Sequence, residues 1–304
     1  MNYTTLISVQ QLQALRDSGT PLLVFDCSFD LTQQDAGLEM YRDAHIPGAV
    51  YAHLDTALSE KRGAGHGAAS GGRHPLPSRE TFAQWLSSVG FTNAMQTVVY
   101  DRQGANYCGR LWWMLKWAGH DPVAVLDGGL QAWQAAGGAV EAGDATVDLA
   151  GNAVGNGDGT VAVGSASNYV LAPAQTALAA IETVANNLRH GNQTLIDARA
   201  APRFRGEVEP LDPVAGHIPG ALNRPFTQNL GADGKFKPAA QLRAEFLALL
   251  GQRDPASVVH HCGSGVSAVP NILAMEIAGL GRTALFAGSW SEWCSDPSRP
   301  VAQG

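Results

Sequence analysis

The stretch Val258-Val259-His260-His261-Cys262-Gly263-Ser264-Gly265-Val266-Ser267-Ala268 puts a cysteine where a buried strand ends and a glycine-containing loop begins. A helix is expected to open at Ser267 or Ala268. A short loop that closes on a helix start turns several backbone N–H groups toward one point. Such a point favours an anion, and the helix dipole adds to the effect. A thiol held there is expected to ionise more readily than a free one and to act as a nucleophile near neutral pH. Gly263 and Gly265 suit a loop that needs positive φ or close backbone approach. Pro270 falls in the first helical turn, where its missing N–H costs little. The plain alternative for a single cysteine is a small buried hydrophobe. His260 and His261 precede the thiol, and strand alternation sends them to opposite faces. Packed neutral imidazoles are expected there, rather than a cation that favours the thiolate.

The elements that must position this loop come from a repeated α/β pattern. Leu22-Leu23-Val24-Phe25-Asp26 is an apolar run of the kind found in buried parallel strands, and Thr194-Leu195-Ile196-Asp197 matches it. His45-Ile46-Pro47-Gly48-Ala49-Val50 matches His217-Ile218-Pro219-Gly220-Ala221-Leu222, and Thr97 to Asp101 matches Ser257 to His261. Strands alternate with helical stretches such as Glu80 to Val89 and Ala105 to Trp117. Each half is therefore expected to be an α/β unit with a mostly parallel central sheet. The boundaries are set at 1–145, a Gly/Ala/Ser-rich linker at 146–170, and 171–304. Gly155-Asn156-Gly157-Asp158-Gly159 faintly resembles a calcium-binding turn, but linker is the preferred reading. The first half is longer between its matched turn and strand, and the Gly-rich loop 59–78 is the insertion. Loops of that length are often functional, and this one is expected to pack at the domain interface beside Cys262.

The position matching Cys262 in the first half is Arg102, so only the second half carries a nucleophile. Ligands in such sheets bind at the C-terminal ends of the strands, where Cys262 lies. Composition narrows the classes. A chain of 304 residues with 45% hydrophobic residues is globular, and a net charge of -7 argues against a nucleic-acid binder. No apolar run reaches the length of about 18 residues that suggests a membrane span. Met1-Asn2-Tyr3-Thr4-Thr5 does not look like the start of a signal peptide. Cys27, Cys108, Cys262 and Cys294 show no C-x-x-C pair and no zinc spacing, so a reduced, cytoplasmic protein with no metal is expected. Cys27, Cys108 and Cys294 are expected to be inert.

Further signatures add to the paired H-I-P-G-A turns. They are Asp127-Gly128-Gly129 with Trp133, Gly288-Ser289-Trp290 with Glu292-Trp293, Gly71-Gly72-Arg73-His74-Pro75-Leu76-Pro77, and Arg203-Phe204-Arg205-Gly206. Together they resemble the two-domain rhodanese family of sulfurtransferases, over nearly the whole chain outside the linker. The resemblance implies two rhodanese-like domains, with the active cysteine in the second. It also implies a ping-pong reaction with no cofactor. Cys262 would take a sulfur from a small-molecule donor as a persulfide, cradled by Gly263, Ser264, Gly265, Val266 and Ser267. It would then pass the sulfur to cyanide or to a thiol acceptor such as thioredoxin. The uncharged Gly263 and Ser264 make the loop similar to those of 3-mercaptopyruvate sulfurtransferases, whereas thiosulfate-preferring members tend to place cations after the cysteine. Arg203 matches the family's arginine at the mouth of the site and is the expected carboxylate anchor. A second anchor of the family is missing here, where Leu211-Asp212-Pro213 stands instead, and Arg205 or Arg73 is expected to substitute. His45 and Asp35 are candidates for a polar relay near Ser264. Thiosulfate is the alternative donor, since it would use the same arginines.

Two other functions compete. A cysteine phosphatase of this fold would carry an arginine at the far end of the loop, where Ala268 stands. A non-catalytic sulfur carrier or interaction module would more commonly have lost the cysteine.

Overall fold

The computed structural model describes residues 2–63, 66–143 and 167–304. It divides into two compact units. One comprises Met1–Leu58 with Ser78–Gln175, and the other Ser59–Pro77 with Thr176–Gly304.

The first unit runs β1 (Leu6–Ile7), α1 (Val9–Asp17), β2 (Leu22–Asp26), α2 (Ala36–Asp43), β3 (Val50–Tyr51), α3 (Arg79–Ser88), β4 (Gln96–Tyr100), α4 (Cys108–Trp117), β5 (Val123–Leu126) and α5 (Gly129–Ala135). Its sheet has the order β1-β5-β4-β2-β3, and every pair is parallel. Ser8 opens α1 with a reciprocal cap. Its Oγ accepts the Gln11 N–H, and Gln11 Oε1 accepts the Ser8 N–H at 2.8 Å. Every residue of α4 is buried, Trp112 and Trp113 included, so this helix is core on all sides.

The second unit runs α6 (Ile181–His190), β6 (Thr194–Asp197), α7 (Ala201–Phe204), β7 (Leu222–Asn223), α8 (Ala239–Leu250), β8 (Val258–His261), α9 (Val269–Ile277), β9 (Ala284–Leu285) and α10 (Ser289–Trp293). The order β7-β6-β8-β9, all parallel, repeats β3-β2-β4-β5 of the first unit. The counterpart of β1 shrinks to a single parallel bridge between Leu178 and Leu285. Side chains of β6 and β8 alternate between two cores. Leu195 and Val259 pack with Phe286, Trp290 and Trp293 on one face, while Ile196 and Val258 pack with Leu242, Phe246 and Met275 on the other. Burying each such side chain contributes about 1.5–3 kcal/mol, so both faces hold the strand that carries Cys262.

The structure departs from the boundaries read in the sequence at two places. Residues 59–77 interrupt the first half in sequence but belong to the second unit. Residues 167–175 pack with the first unit: the Ser167 N–H donates to Ser87 O and the Gln175 N–H to Lys116 O, both at 2.9 Å. The remainder of the expected linker, with the Gly155–Gly159 turn, lies outside the described residues. Among the described residues, no helix is long and apolar enough to cross a membrane.

Candidate active site

Strand β8 delivers Cys262 to the C-terminal edge of the second sheet, and the helix that follows begins at Val269. The loop between them is clamped by the start of α10. Ser289 takes a left-handed φ of 55° without being glycine. Its Oγ accepts the Cys262 N–H at 3.0 Å and donates to Phe286 O at 2.9 Å. The Trp290 N–H then donates to Cys262 O at 3.0 Å and the Ser291 N–H to Gly263 O at 2.9 Å. Strained, non-glycine φ values persist where surrounding structure over-determines them, and four hydrogen bonds do so here. Gly265 has φ 73°, and a β-carbon there would stand 2.1 Å from Ala287 O, so no other residue fits. Cys262 itself is 2% exposed.

The excursion 59–77 closes over this loop from its own unit. The Arg73 N–H donates to Ser291 Oγ at 2.9 Å, and His74 Nδ1 lies 2.7 Å from Ser264 Oγ, with both side chains of that pair buried. Arg73 and Arg203 converge on Gly263. A β-carbon at that residue would stand 3.1 Å from Arg73 Nη2 and 3.6 Å from both terminal nitrogens of Arg203. The missing side chain at Gly263 therefore lets two guanidinium groups come close to the residue that follows Cys262.

Two buried carboxylates hold those cations. Asp212 Oδ1 is 2.5 Å from Arg73 Nη1 and its Oδ2 is 3.4 Å from Arg203 Nη2. Glu209 Oε1 is 2.6 Å from Arg203 Nη2 and also accepts the Leu211 and Asp212 N–H groups. Burial raises the Asp212 pKa, with Arg73 pulling against it. Burial also opposes the Glu209 charge, but the hydrogen bonds from Arg203 and the backbone outweigh it, and its pKa is lowered.

A second pair lies at the end of β6. Arg199 forks onto Asp197, with Nη2 at 2.7 Å from Oδ2, and stacks over Trp290 at 4.9 Å. Burial works against the Arg199 charge, but Asp197, Glu209 and Cys262 all act to keep it a cation, and its pKa is raised. Burial would raise Asp197 too, yet His261 and the Arg199 fork hold it below the ordinary carboxylate range. His260 is pushed down to about 3 by burial, and burial also lowers His261, against the pull of Asp197. Both imidazoles are neutral core groups near pH 7.

Of the residues singled out in the sequence, Cys262, its loop, Arg73 and Arg203 come together. Arg205 does not. Its exposed guanidinium pairs with Glu207 at 2.6 Å, drawn there by a neighbour two residues on. His45 and Asp35 belong to the first unit. His45 stacks on Tyr41 and spends both ring nitrogens on Tyr41 O and Glu141 Oε1, which fixes the H-I-P-G-A turn. His217 does the same work on Phe204. Asp35 stands at the N-cap of α2 without a side-chain cap bond. The group that meets Ser264 is His74. Sequence reasoning also passed over Arg199, Glu209, Asp212 and Ser289. Cys27, Cys108 and Cys294 are free and buried, and burial pushes each of their thiols up. Among the described residues, no group of three or more His, Cys, Asp or Glu side chains could hold a metal ion.

Two parallel α/β units, one with a clamped cysteine loop at its strand ends, define a tandem α/β fold. The profile of the Rhodanese-like domain matches residues 8–136 and 180–296. The chain belongs to the rhodanese family. Two relatives carry provisional names. One, a 3-mercaptopyruvate sulfurtransferase of Pseudomonas aeruginosa, is 43% identical and is covered in full, as is this chain. The other, thiosulfate sulfurtransferase SseB of Mycobacterium tuberculosis, is 38% identical over 98% of this chain and 97% of its own. The crystal structure of SseA from Escherichia coli, described among 3-mercaptopyruvate sulfotransferases, aligns with a TM-score of 0.74 and 29% identity. That alignment covers 95% of this chain and 100% of SseA.

Proposed function

We propose that the protein is a sulfurtransferase that moves a sulfane sulfur from 3-mercaptopyruvate through a Cys262 persulfide to a thiol or cyanide. The observation that carries this reading is the convergence of Arg73 and Arg203 on Gly263, next to the thiol and next to a serine bonded to His74. The arginines offer planar donors to the donor's carboxylate. The Cys262 thiolate attacks the donor's sulfur, and the sulfur–carbon bond breaks. Its electron pair leaves on carbon as the enolate of pyruvate, which takes up a proton. Ser264, hydrogen-bonded to His74, is the group to steady the enolate and hand over that proton. In this reading the charge of the persulfide left on Cys262 is favoured by N–H groups of the loop and the helix start. An acceptor thiolate or cyanide then attacks the outer sulfur, the sulfur–sulfur bond breaks, and Cys262 recovers its electron pair. A protein thiol of the thioredoxin kind is a suitable acceptor. The four free cysteines suit a reducing compartment, and we place the reaction in the cytoplasm.

Thiosulfate is the second reading, because its dianion would meet the same two arginines. The test is steady-state sulfur transfer to cyanide with each donor, with Cys262→Ser as the blank. A kcat/KM at least about tenfold higher for 3-mercaptopyruvate supports the carboxylate reading, since neutral Gly263 and Ser264 add no cation for a dianion. A preference for thiosulfate reverses the donor assignment. Partner binding without Cys262-dependent turnover would make the protein a sulfur carrier or interaction module instead.

A further inference from the structure

The two guanidinium groups facing Gly263 do not present their full charge to a ligand. Asp212 binds both, Arg73 at 2.5 Å and Arg203 at 3.4 Å, and Glu209 takes the other side of Arg203 at 2.6 Å. The carboxylates are 4% and 3% exposed, while Arg73 and Arg203 are 26% and 19% exposed, so the acids lie behind and the cations in front. Arg199 is balanced in the same way by Asp197. Three guanidinium groups therefore stand against three buried carboxylates, Asp197, Glu209 and Asp212. The cluster offers shaped hydrogen-bond donors with little net positive charge.

We propose that Asp212 is a specificity determinant of this site, which selects a monoanionic keto-acid donor against a dianionic one by offsetting the charge of Arg73 and Arg203. The inference deepens the sulfurtransferase reading and rests on it. The physical reason is that Coulomb energy is linear in ligand charge. A fixed negative charge behind the arginines penalises thiosulfate, with two charges, about twice as much as 3-mercaptopyruvate, with one. The hydrogen bonds that recognise a planar carboxylate survive, because each arginine keeps terminal nitrogens toward Gly263. Asp212 also holds Arg73, which comes from the distant excursion, over a loop whose own residues are uncharged.

The experiment compares wild type with Asp212→Asn, which removes the charge and keeps the shape. The readout is the ratio of kcat/KM for thiosulfate to kcat/KM for 3-mercaptopyruvate. The ratio is expected to rise by about tenfold, the effect of one screened charge on one extra ligand charge. A purely structural role would lower both donors together and leave the ratio within about twofold, an outcome that overturns the inference. Should Asp212→Asn fail to fold, wild type supplies a second measurement, competition by pyruvate and by sulfate against 3-mercaptopyruvate. Pyruvate is expected to compete at about tenfold lower concentration, and sulfate binding as tightly as pyruvate overturns the proposal. Turnover that depends on Cys262 with an unmoved ratio defeats the inference alone, and absence of such turnover defeats the sulfurtransferase reading with it.

Discussion

Both units bury an aspartate at the end of matching strands, Asp26 on β2 and Asp197 on β6, and the two differ in what neutralises it. In the first unit the cation is Arg102, the residue that matches Cys262. Its Nη1 bonds Asp26 Oδ2 at 2.9 Å and Ser28 Oγ, and its Nη2 bonds Met40 O at 2.8 Å and Ala44 O. In the second unit the cation is Arg199, the residue that matches Ser28, which forks onto Asp197. Moving the guanidinium by one strand end vacates the position from which a thiol can face a substrate. The loops differ too. In the first unit the Asp101 carboxylate lies across the loop and accepts the N–H groups of Gln103, Ala105, Tyr107 and Cys108. The matching residue in the second is His261, which brings no carboxylate. One fold thus makes either a plugged strand end or one that presents a cysteine, according to where two buried charges are placed.

The largest effect tests whether the thiol alone separates the two. Arg102→Cys is expected to create no second reactive cysteine. Asp26 would lose its partner, and the loop N–H groups would stay on Asp101, so Cys262→Ser combined with Arg102→Cys should release no thiocyanate. Arg102→Ala should cost about 3 kcal/mol of stability, because it leaves the buried Asp26 carboxyl without its guanidinium partner, and denaturant unfolding measures this. Sulfur transfer by an Arg102→Cys, Cys262→Ser protein would show that charge placement is not the deciding difference.

The next effect sharpens the role of the hydroxyl. Ser264 is matched by Gly104 in the first unit. Ser264→Ala should lower kcat with 3-mercaptopyruvate by about 100-fold, the ordinary worth of a positioned proton donor. Thiosulfate should be affected far less, since sulfite leaves with its electron pair and needs no proton. Equal losses with both donors would reduce Ser264 to a packing role.

Much of this comparison was legible in the sequence. The paired turns, the strands and the exchange of Cys262 for Arg102 are local patterns, and the tandem α/β fold and the half that presents a cysteine at its strand ends follow from them. The pairs that build the site were not, because they join residues with no periodic relation. His74 meets Ser264 across 190 positions of sequence, and Arg73 meets Asp212 across 139. Chain continuity assigned 59–77 to the half that contains it, whereas its contacts assign it to the other. An uncommon residue in a repeated turn looks chemical, and His45 has its two ring nitrogens on Tyr41 O and Glu141 Oε1. Arg199 had a signal that was not used. Asp197-Ala198-Arg199 answers Asp26-Cys27-Ser28, and an arginine gained at one repeat position while another is lost elsewhere marks a relocated charge.

A smaller effect concerns acid. His260, matched by Tyr100, is pushed to about 3 from an ordinary 6.5 by burial. A folded pKa below the unfolded one means that the unfolded chain binds the proton first. The contribution is therefore complete above pH 6.5 and is lost as pH falls toward 3, at up to about 1.4 kcal/mol per pH unit. His120 of the first unit, pushed to about 4, acts in the same direction, whereas Asp101, raised by burial, gains on acidification. His260→Leu should flatten the fall of Tm between pH 6.5 and 4 without removing it. An unchanged slope would place the acid sensitivity elsewhere.

The smallest effect tests the two loops at one shared angle. Ala105 has φ 66° and its counterpart Gly265 has φ 73°. A left-handed alanine costs about 1 kcal/mol, and glycine returns part of that as unfolded-state entropy, so Ala105→Gly should stabilise the protein by about 0.5 kcal/mol. The reverse change is not its mirror image. Gly265→Ala would drive a β-carbon to 2.1 Å from Ala287 O, which displaces the segment leading into Ser289 and so the clamp on Cys262. It should therefore lower both Tm and sulfur transfer, whereas Ala105→Gly leaves transfer unchanged. If Gly265→Ala proved as mild as the φ cost alone, the close approach to Ala287 would not be what holds the loop.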